Sequence, residues 1–115
     1  MTTSPPQQWA TIIRGLQEVV CEDQARTFEI IRARPYHIYW GTAPTGNIHI
    51  GYLLPLMKIR DFLSVGCTVT ILIADLHAFL DSKKTPYDKI AERSDYYERT
   101  LRAALKYLGV VNDPN

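Results

Sequence analysis

The chain has 115 residues, 46% of them hydrophobic and 22% charged, with a formal net charge of +1 at neutral pH. That length supports one globular domain burying roughly two-thirds of its unfolded surface, and it speaks against several domains. The near-balanced charge gives no electrostatic case for a nucleic-acid-binding body, so any RNA contact has to come from local patches or from residues elsewhere.

Ser4, Pro5 and Pro6 open a helical pattern in which Trp9, Ile12, Ile13, Leu16 and Val20 share a face. The prolines stand in the first turn, where a missing N–H costs nothing. Residues 22–31 start a second short helix, and both segments read as scaffold. Cys21 and Cys67 have neither a C-x-x-C spacing nor a histidine at a metal-ligand interval. They read as reduced, partly buried thiols of an intracellular protein, with no metal site expected. No run approaches the roughly twenty apolar residues of a membrane span. The start Met-Thr-Thr-Ser-Pro-Pro lacks the basic and apolar regions of a signal peptide, so the cytoplasm is the expected compartment.

Between Pro35 and Gly41, residues 36–40 form a β-branched and aromatic run that predicts a short, partly buried strand. Residues 42–47 turn the chain. From Ile48 the spacing becomes helical, with Leu53, Leu56, Met57, Phe62 and Leu63 on one side and Gly66 as the C-terminal cap. Pro55 is an awkward resident there, expected to cost a hydrogen bond and to kink the helix. His49 and Gly51 fall in the first turn, where unpaired N–H groups and the helix dipole favour an anion such as a phosphate.

Residues 68–74 are nearly all apolar or β-branched, as for a strand covered on both faces of a parallel sheet. Strand, helix and strand make a βαβ unit, right-handed by the general rule, with ligands expected beyond the carboxyl ends of the strands. Residues 41–46 and 75–77 both land on that rim. Residues 81–84 form a polar loop in which Lys83 and Lys84 either touch phosphates or are simply solvated. Thr85 is expected to cap the next helix, with Pro86 in its first turn and Asp88 reaching back. Ile90, Ser94, Tyr97, Leu101, Ala104 and Leu108 then follow at spacings of three and four until Gly109.

Within the stretch from Tyr39 to Tyr52, Pro44-Thr45-Gly46-Asn47-Ile48-His49-Ile50-Gly51-Tyr52 resembles the HIGH signature of class I aminoacyl-tRNA synthetases. The form is that of the tyrosyl-tRNA synthetases of archaea and eukaryotes. Ile73-Ala74-Asp75-Leu76-His77-Ala78-Phe79-Leu80-Asp81 resembles a second stretch of the same enzymes. The likeness runs from about residue 36 to 110, and the preceding helices match only in being amphipathic.

The resemblance implies an α/β fold with a Rossmann-like parallel sheet, preceded by N-terminal helices and followed by a long helix. Residues 1–115 would be the N-terminal portion of the catalytic domain. It implies activation of L-tyrosine by ATP, with Mg2+ carried on the nucleotide, transfer of the tyrosyl group to tRNA(Tyr), and a homodimer. His49, with Thr45 and Tyr52, would serve the phosphate chemistry, which is mainly positioning and charge stabilisation. Gly41, Thr42, Ala43, Pro44, Thr45, Gly46, His49, Gly51 and Tyr52 would line the nucleotide site. Gly51 either lets adenine approach the helix or is a packing residue. Tyr52 stands where the signature has a second histidine, and is either a pocket residue or packing at the helix start.

Tyr39, Gly41, Leu72, Ala74 and His77 would form the amino-acid pocket by the same resemblance. Leu72 and Ala74 also fit ordinary strand core, and His77 fits a strand-end cap. Asp75 either meets a polar partner or caps the turn after it. A pocket-closing KMSKS-type loop, later tyrosine-specifying residues and an anticodon-binding region are not in this sequence. Two strands do not make a stable sheet alone, so the 115-residue chain is expected to be a partial domain without aminoacylation activity. The alternatives are another nucleotidyltransferase of the superfamily or a non-catalytic binding module.

Overall fold

A computed structural model describes residues 4–81 and 85–110. The order is α1 (Pro5–Ile13), α2 (Gln24–Ala33), β1 (His37–Thr42), a 3-10 turn (Ile50–Tyr52), α3 (Leu53–Ser64), β2 (Thr68–Ile73), α4 (Asp75–Leu80), a 3-10 turn (Tyr87–Lys89) and α5 (Ile90–Tyr107). The expectations for Lys83 and Lys84 lie outside the described residues.

β1 and β2 pair in parallel, in register from His37 opposite Thr68 to Thr42 opposite Ile73. The strand expected over 36–40 runs on through Gly41 and Thr42, because Leu72 and Ile73 supply their ladder partners. The Ala74 N–H continues the line by donating to the Thr42 carbonyl at 2.8 Å. Alternation along a strand sends successive side chains to opposite faces. Trp40, Val69 and Ile71 pack with Leu56 and Ile59 of α3 and Leu101 of α5 in one core. The other face carries His37, Tyr39, Gly41, Thr70 and Leu72, all exposed, with His37 Nε2 and Thr70 Oγ1 in a cross-strand hydrogen bond of 2.8 Å. β2 is therefore covered on one face among the described residues, against the two expected.

The helix expected from residue 48 starts later. His49 caps the 3-10 turn, and Pro55 is the third residue of α3, where an N–H has no partner inside the helix. The expected cost and kink do not arise. At the other end Gly66 has φ +86°. Its N–H donates to Leu63 O at 3.1 Å and the Cys67 N–H to Phe62 O at 3.0 Å, the paired bonds of a Schellman cap.

A second core joins Ile12, Ile31 and Cys67, with Trp9, Tyr36, Ile38 and Phe62 around it. α1 stops at Ile13 because Gly15 turns the chain at φ +74°. Leu16 and Val20 are consequently exposed rather than on the buried face of a longer helix. α2 begins two residues later than expected, after Asp23 accepts from the Arg26 N–H. Cys67 is buried, which raises its thiol pKa, while half-buried Cys21 meets the Thr27 hydroxyl at 2.9 Å. Lys58 fastens this layer to α3. Its Nζ donates to the carbonyls of Thr11 at 2.7 Å and Arg14 at 2.8 Å, where α1 ends. Desolvation lowers its pKa, partly offset by Asp61, which also pairs with Arg14 at 3.0 Å.

α5 buries Ile90, Tyr97 and Leu101 and places Glu98–Arg102 and Asp95–Arg99 pairs toward solvent. Among the described residues no helix is long and apolar enough to cross a membrane.

Replacing Lys58 by Met would keep the aliphatic packing and strand both carbonyls. The expected cost is about 1–3 kcal/mol, read as a lower urea midpoint of the intact protein. Arg60→Met on the exposed side of α3 should change stability by less than about 0.5 kcal/mol. Equal midpoints for the two variants would remove the clasp.

Candidate functional site

β1 and β2 end at one rim because the ladder is parallel and in register. From that rim the loop of residues 43–49 leaves β1. Its Thr45 N–H reaches back to Ala43 O at 2.9 Å, and Pro44, Thr45, Gly46 and Ile48 meet partners from residues 85–97. The Thr85 hydroxyl donates to Pro44 O at 2.9 Å. Arg93 Nη1 donates to Thr45 O at 3.4 Å and to Thr85 Oγ1 at 3.1 Å. The Gly46 N–H donates to the Tyr97 hydroxyl and the Ile48 N–H to the Tyr96 hydroxyl, each at 3.3 Å. Thr85, Pro44 and Tyr97 are fully buried. Thr85 is thus not the helix cap that its local sequence suggested: Pro86 precedes the 3-10 turn, and the threonine hydroxyl is spent on a carbonyl 41 residues away.

His49 takes an extended conformation, and its Nδ1 accepts the Gly51 N–H at 3.2 Å. With Nδ1 accepting, Nε2 is the ring's donor in this arrangement. The ring is exposed, which leaves Nε2–H available to an anion. The Tyr52 N–H is taken by His49 O at 2.9 Å. Two of the amides expected to face a phosphate are therefore already paired, and the imidazole is the outward donor of the turn. A Cβ on Gly51 would lie 2.9 Å from both Cε1 and Nδ1 of His49. The visible reason for glycine here is room for the histidine ring.

Tyr52 packs edge-on against Tyr97, ring centres 6.0 Å apart. Its hydroxyl lies 3.4 Å from Thr42 Oγ1 and donates to the Tyr97 hydroxyl at 3.4 Å. A line of hydroxyls runs beneath the loop from Thr42 through Tyr52 and Tyr97 to the Gly46 N–H. Burial, then the Tyr52 bond, pushes the Tyr97 phenol above its ordinary pKa.

On the open sheet face Tyr39 and Gly41 are neighbours along β1, and Gly41 is level with Leu72. A Cβ at Gly41 would be 3.5 Å from the Tyr39 hydroxyl oxygen and 3.8 Å from Leu72 Cβ. The phenol thus leans over a shallow floor that glycine keeps clear. Leu72 is 43% exposed and Tyr39 64%, so Leu72 is not strand core here. Ala74 sits half-buried at the end of β2. Asp75 is the first residue of α4, and its carboxylate accepts the Leu76 N–H at 2.7 Å. His77 lies exposed on α4, and no hydrogen bond joins its ring to Tyr39, Gly41 or Leu72 among the described residues. Arg93, Tyr96 and Tyr97 were not expected at the site. Their helical spacing announces only a buried face, which gives no sign of where a tyrosine hydroxyl points.

The family of class I tRNA synthetases for tryptophan and tyrosine matches residues 32–115. The chain belongs to this family. It is 52% identical over 99 residues to the cytoplasmic tyrosine–tRNA ligase of Xenopus tropicalis, covering 86% of this chain and 18% of that protein. With the corresponding enzyme of Saccharomyces cerevisiae it shares 43% over 109 residues, 95% of this chain and 28% of that one. The tyrosyl-tRNA synthetase of Archaeoglobus fulgidus, solved with L-tyrosine, superposes with a TM-score of 0.78 at 29% identity, covering 88% of this chain and 31% of that one. The chain therefore spans less than a third of the length of these relatives. Its parallel strands and crossover helix are a Rossmann-like part of the synthetase fold.

In this synthetase chain Gly51→Ala should displace the His49 ring rather than unfold the helix, since that ring is exposed and, among the described residues, held only by the Gly51 bond and an edge contact with Tyr52. Nitrogen NMR of the imidazole should show loss of the Nε2–H preference, with a thermal midpoint within about 2 °C of the parent for a surface change of about 0.5 kcal/mol. An unchanged tautomer balance would refute the steric account.

Proposed function

We propose that the protein carrying this chain is a tyrosine–tRNA ligase. It activates L-tyrosine with ATP to tyrosyl-adenylate and pyrophosphate, then transfers the tyrosyl group to tRNA(Tyr). The observation that carries this reading is the identity of 43–52% to tyrosine–tRNA ligases across most of the chain. The placing of Tyr39 and Gly41 beside the His49 loop is consistent with it. Residues 1–115 are the N-terminal portion of the catalytic domain and are inactive in aminoacylation by themselves. The complete protein is a cytoplasmic homodimer.

The tyrosine carboxylate attacks the α-phosphorus of ATP, an oxygen–phosphorus bond forms, and the bond to pyrophosphate breaks. Negative charge grows on the phosphate oxygens as this happens. His49 meets it with Nε2–H, a donor already oriented by the Gly51 bond, and a preorganised donor is worth most where charge develops. Thr45, Gly46 and the rest of the 41–46 segment hold the nucleotide above that donor, and Tyr52 supports it from below. Tyr39 offers its phenol to the substrate hydroxyl over the floor at Gly41 and Leu72, with Ala74 and His77 at the pocket margin. Selection of tyrosine over phenylalanine by polar groups that the bound substrate covers is the rule's own worked case in tyrosyl-tRNA synthetases. Mg2+ enters with ATP. Among the described residues no three acidic, histidine or cysteine side chains gather as a metal site.

Tyrosine-dependent ATP–pyrophosphate exchange by the intact protein tests the assignment. Exchange with tyrosine and none with tryptophan is expected, and the reverse pattern would overturn it. In the same protein His49→Ala should slow single-turnover adenylate formation about 100- to 1,000-fold, with far less effect on ground-state ATP binding. An unchanged rate would take His49 out of the site. Tyr39→Phe should weaken tyrosine binding by about 1–3 kcal/mol and narrow its discrimination against phenylalanine. Intact discrimination would exclude the phenol from recognition.

A further inference from the structure

We propose that Thr85, Arg93, Tyr96 and Tyr97 are positioning residues that mould the 43–49 loop into the shape that presents His49. The inference rests on the adenylate-forming reading above and deepens it. A loop leaving a strand end has to find partners for its main-chain groups, and this one finds them on a distant segment. Taken in order, Pro44 O, Thr45 O, Gly46 N–H and Ile48 N–H meet Thr85, Arg93, Tyr97 and Tyr96. Two carbonyls face two donors, and two N–H groups face two hydroxyl oxygens. The pattern therefore specifies the orientation of successive peptide planes.

Packing alone does not account for these residue types. Phenylalanine would fill the Tyr97 site, which is only 1% exposed, and a buried hydroxyl is costly unless bonded. The Tyr97 hydroxyl is bonded on the loop side by Gly46 and on the floor side by Tyr52. Valine would likewise fill the fully buried Thr85 site. Its hydroxyl instead donates to Pro44 and accepts from Arg93, which joins the two carbonyl clamps into one unit. His49 caps the 3-10 turn just after the last clamped amide, so the clamp fixes where its backbone stands and the Gly51 bond then aims the ring. Tyr39 and Leu72 lie on the open sheet face and share none of these bonds.

The test uses the intact protein and variants that remove single hydroxyls: Tyr97→Phe, half-exposed Tyr96→Phe, Thr85→Val, and Thr85→Ser as the conservative rescue. Amide hydrogen exchange resolved to single residues should rise about tenfold or more at Gly46 in Tyr97→Phe and at Ile48 in Tyr96→Phe, each without the other. Single-turnover adenylate formation should fall about 10- to 100-fold in Tyr97→Phe and Thr85→Val, with the tyrosine dissociation constant unchanged and Thr85→Ser close to the parent. A general structural role would lower tyrosine affinity together with the rate and would not give paired, residue-specific exchange. If the parent protein shows no tyrosine-dependent exchange of pyrophosphate, the functional reading fails, and the amide pattern alone decides the clamp. If the parent is active, unchanged amide protection or an unchanged rate in Tyr97→Phe overturns the proposal.

Discussion

The parallel ladder between β1 and β2 is the constraint on which the other features depend. Because the strands run the same way and Thr42 is level with Ile73, their carboxyl ends open on one side of the sheet. The histidine-bearing loop and the start of α4 are then neighbours despite their separation in sequence. The ladder also sorts side chains. Trp40, Val69 and Ile71 face the helices and supply the core, while Tyr39, Gly41 and Leu72 share the open face.

Above the rim the governing requirement is polar satisfaction. The loop of residues 43–49 pairs little of its own backbone, and Thr85 and α5 meet that need with hydroxyls and a guanidinium. Tyr97 does two jobs, with its ring in the interior and its oxygen under Gly46. Burial disfavours the ionised phenol, and although the Gly46 bond works the other way, the folded group keeps its proton more strongly. The Tyr97 phenol, raised chiefly by burial, contributes stability that is full below its ordinary pKa near 10 and is lost as the pH climbs through the raised value. The arrangement is therefore at full strength near neutrality. His49 and Gly51 form a smaller unit of the same kind, in which an absent side chain lets an imidazole fold onto a backbone amide.

Much of the architecture was legible from local pattern. The apolar run at 68–74, the glycine at 66 and the spacing along α5 each reflect chemistry contained within a few residues, and each element formed close to its expected place. Boundaries failed where a neighbour intervened. Gly41 and Thr42 joined β1 because β2 offered partners, and Leu16 and Val20 left the first helix because Gly15 took positive φ. Pro55 was harmless because the 3-10 turn moved the helix start to within two residues of it.

By itself the sequence determined the βαβ order, the rim position of the loop and the identity of its histidine, since strand, turn and helix periods are properties of contiguous residues. It also carried the family likeness in the two stretches that flank α3. Only the tertiary structure decided which hydroxyls serve the loop, that Thr85 is a clamp rather than a cap, that the described residues cover β2 on one face, and that Gly51 makes room for His49. Those outcomes rest on bonds spanning about 40 to 50 residues of chain and on the room around a folded ring. A hydrogen bond depends on where two atoms finally stand, and spacing along the chain does not contain that distance.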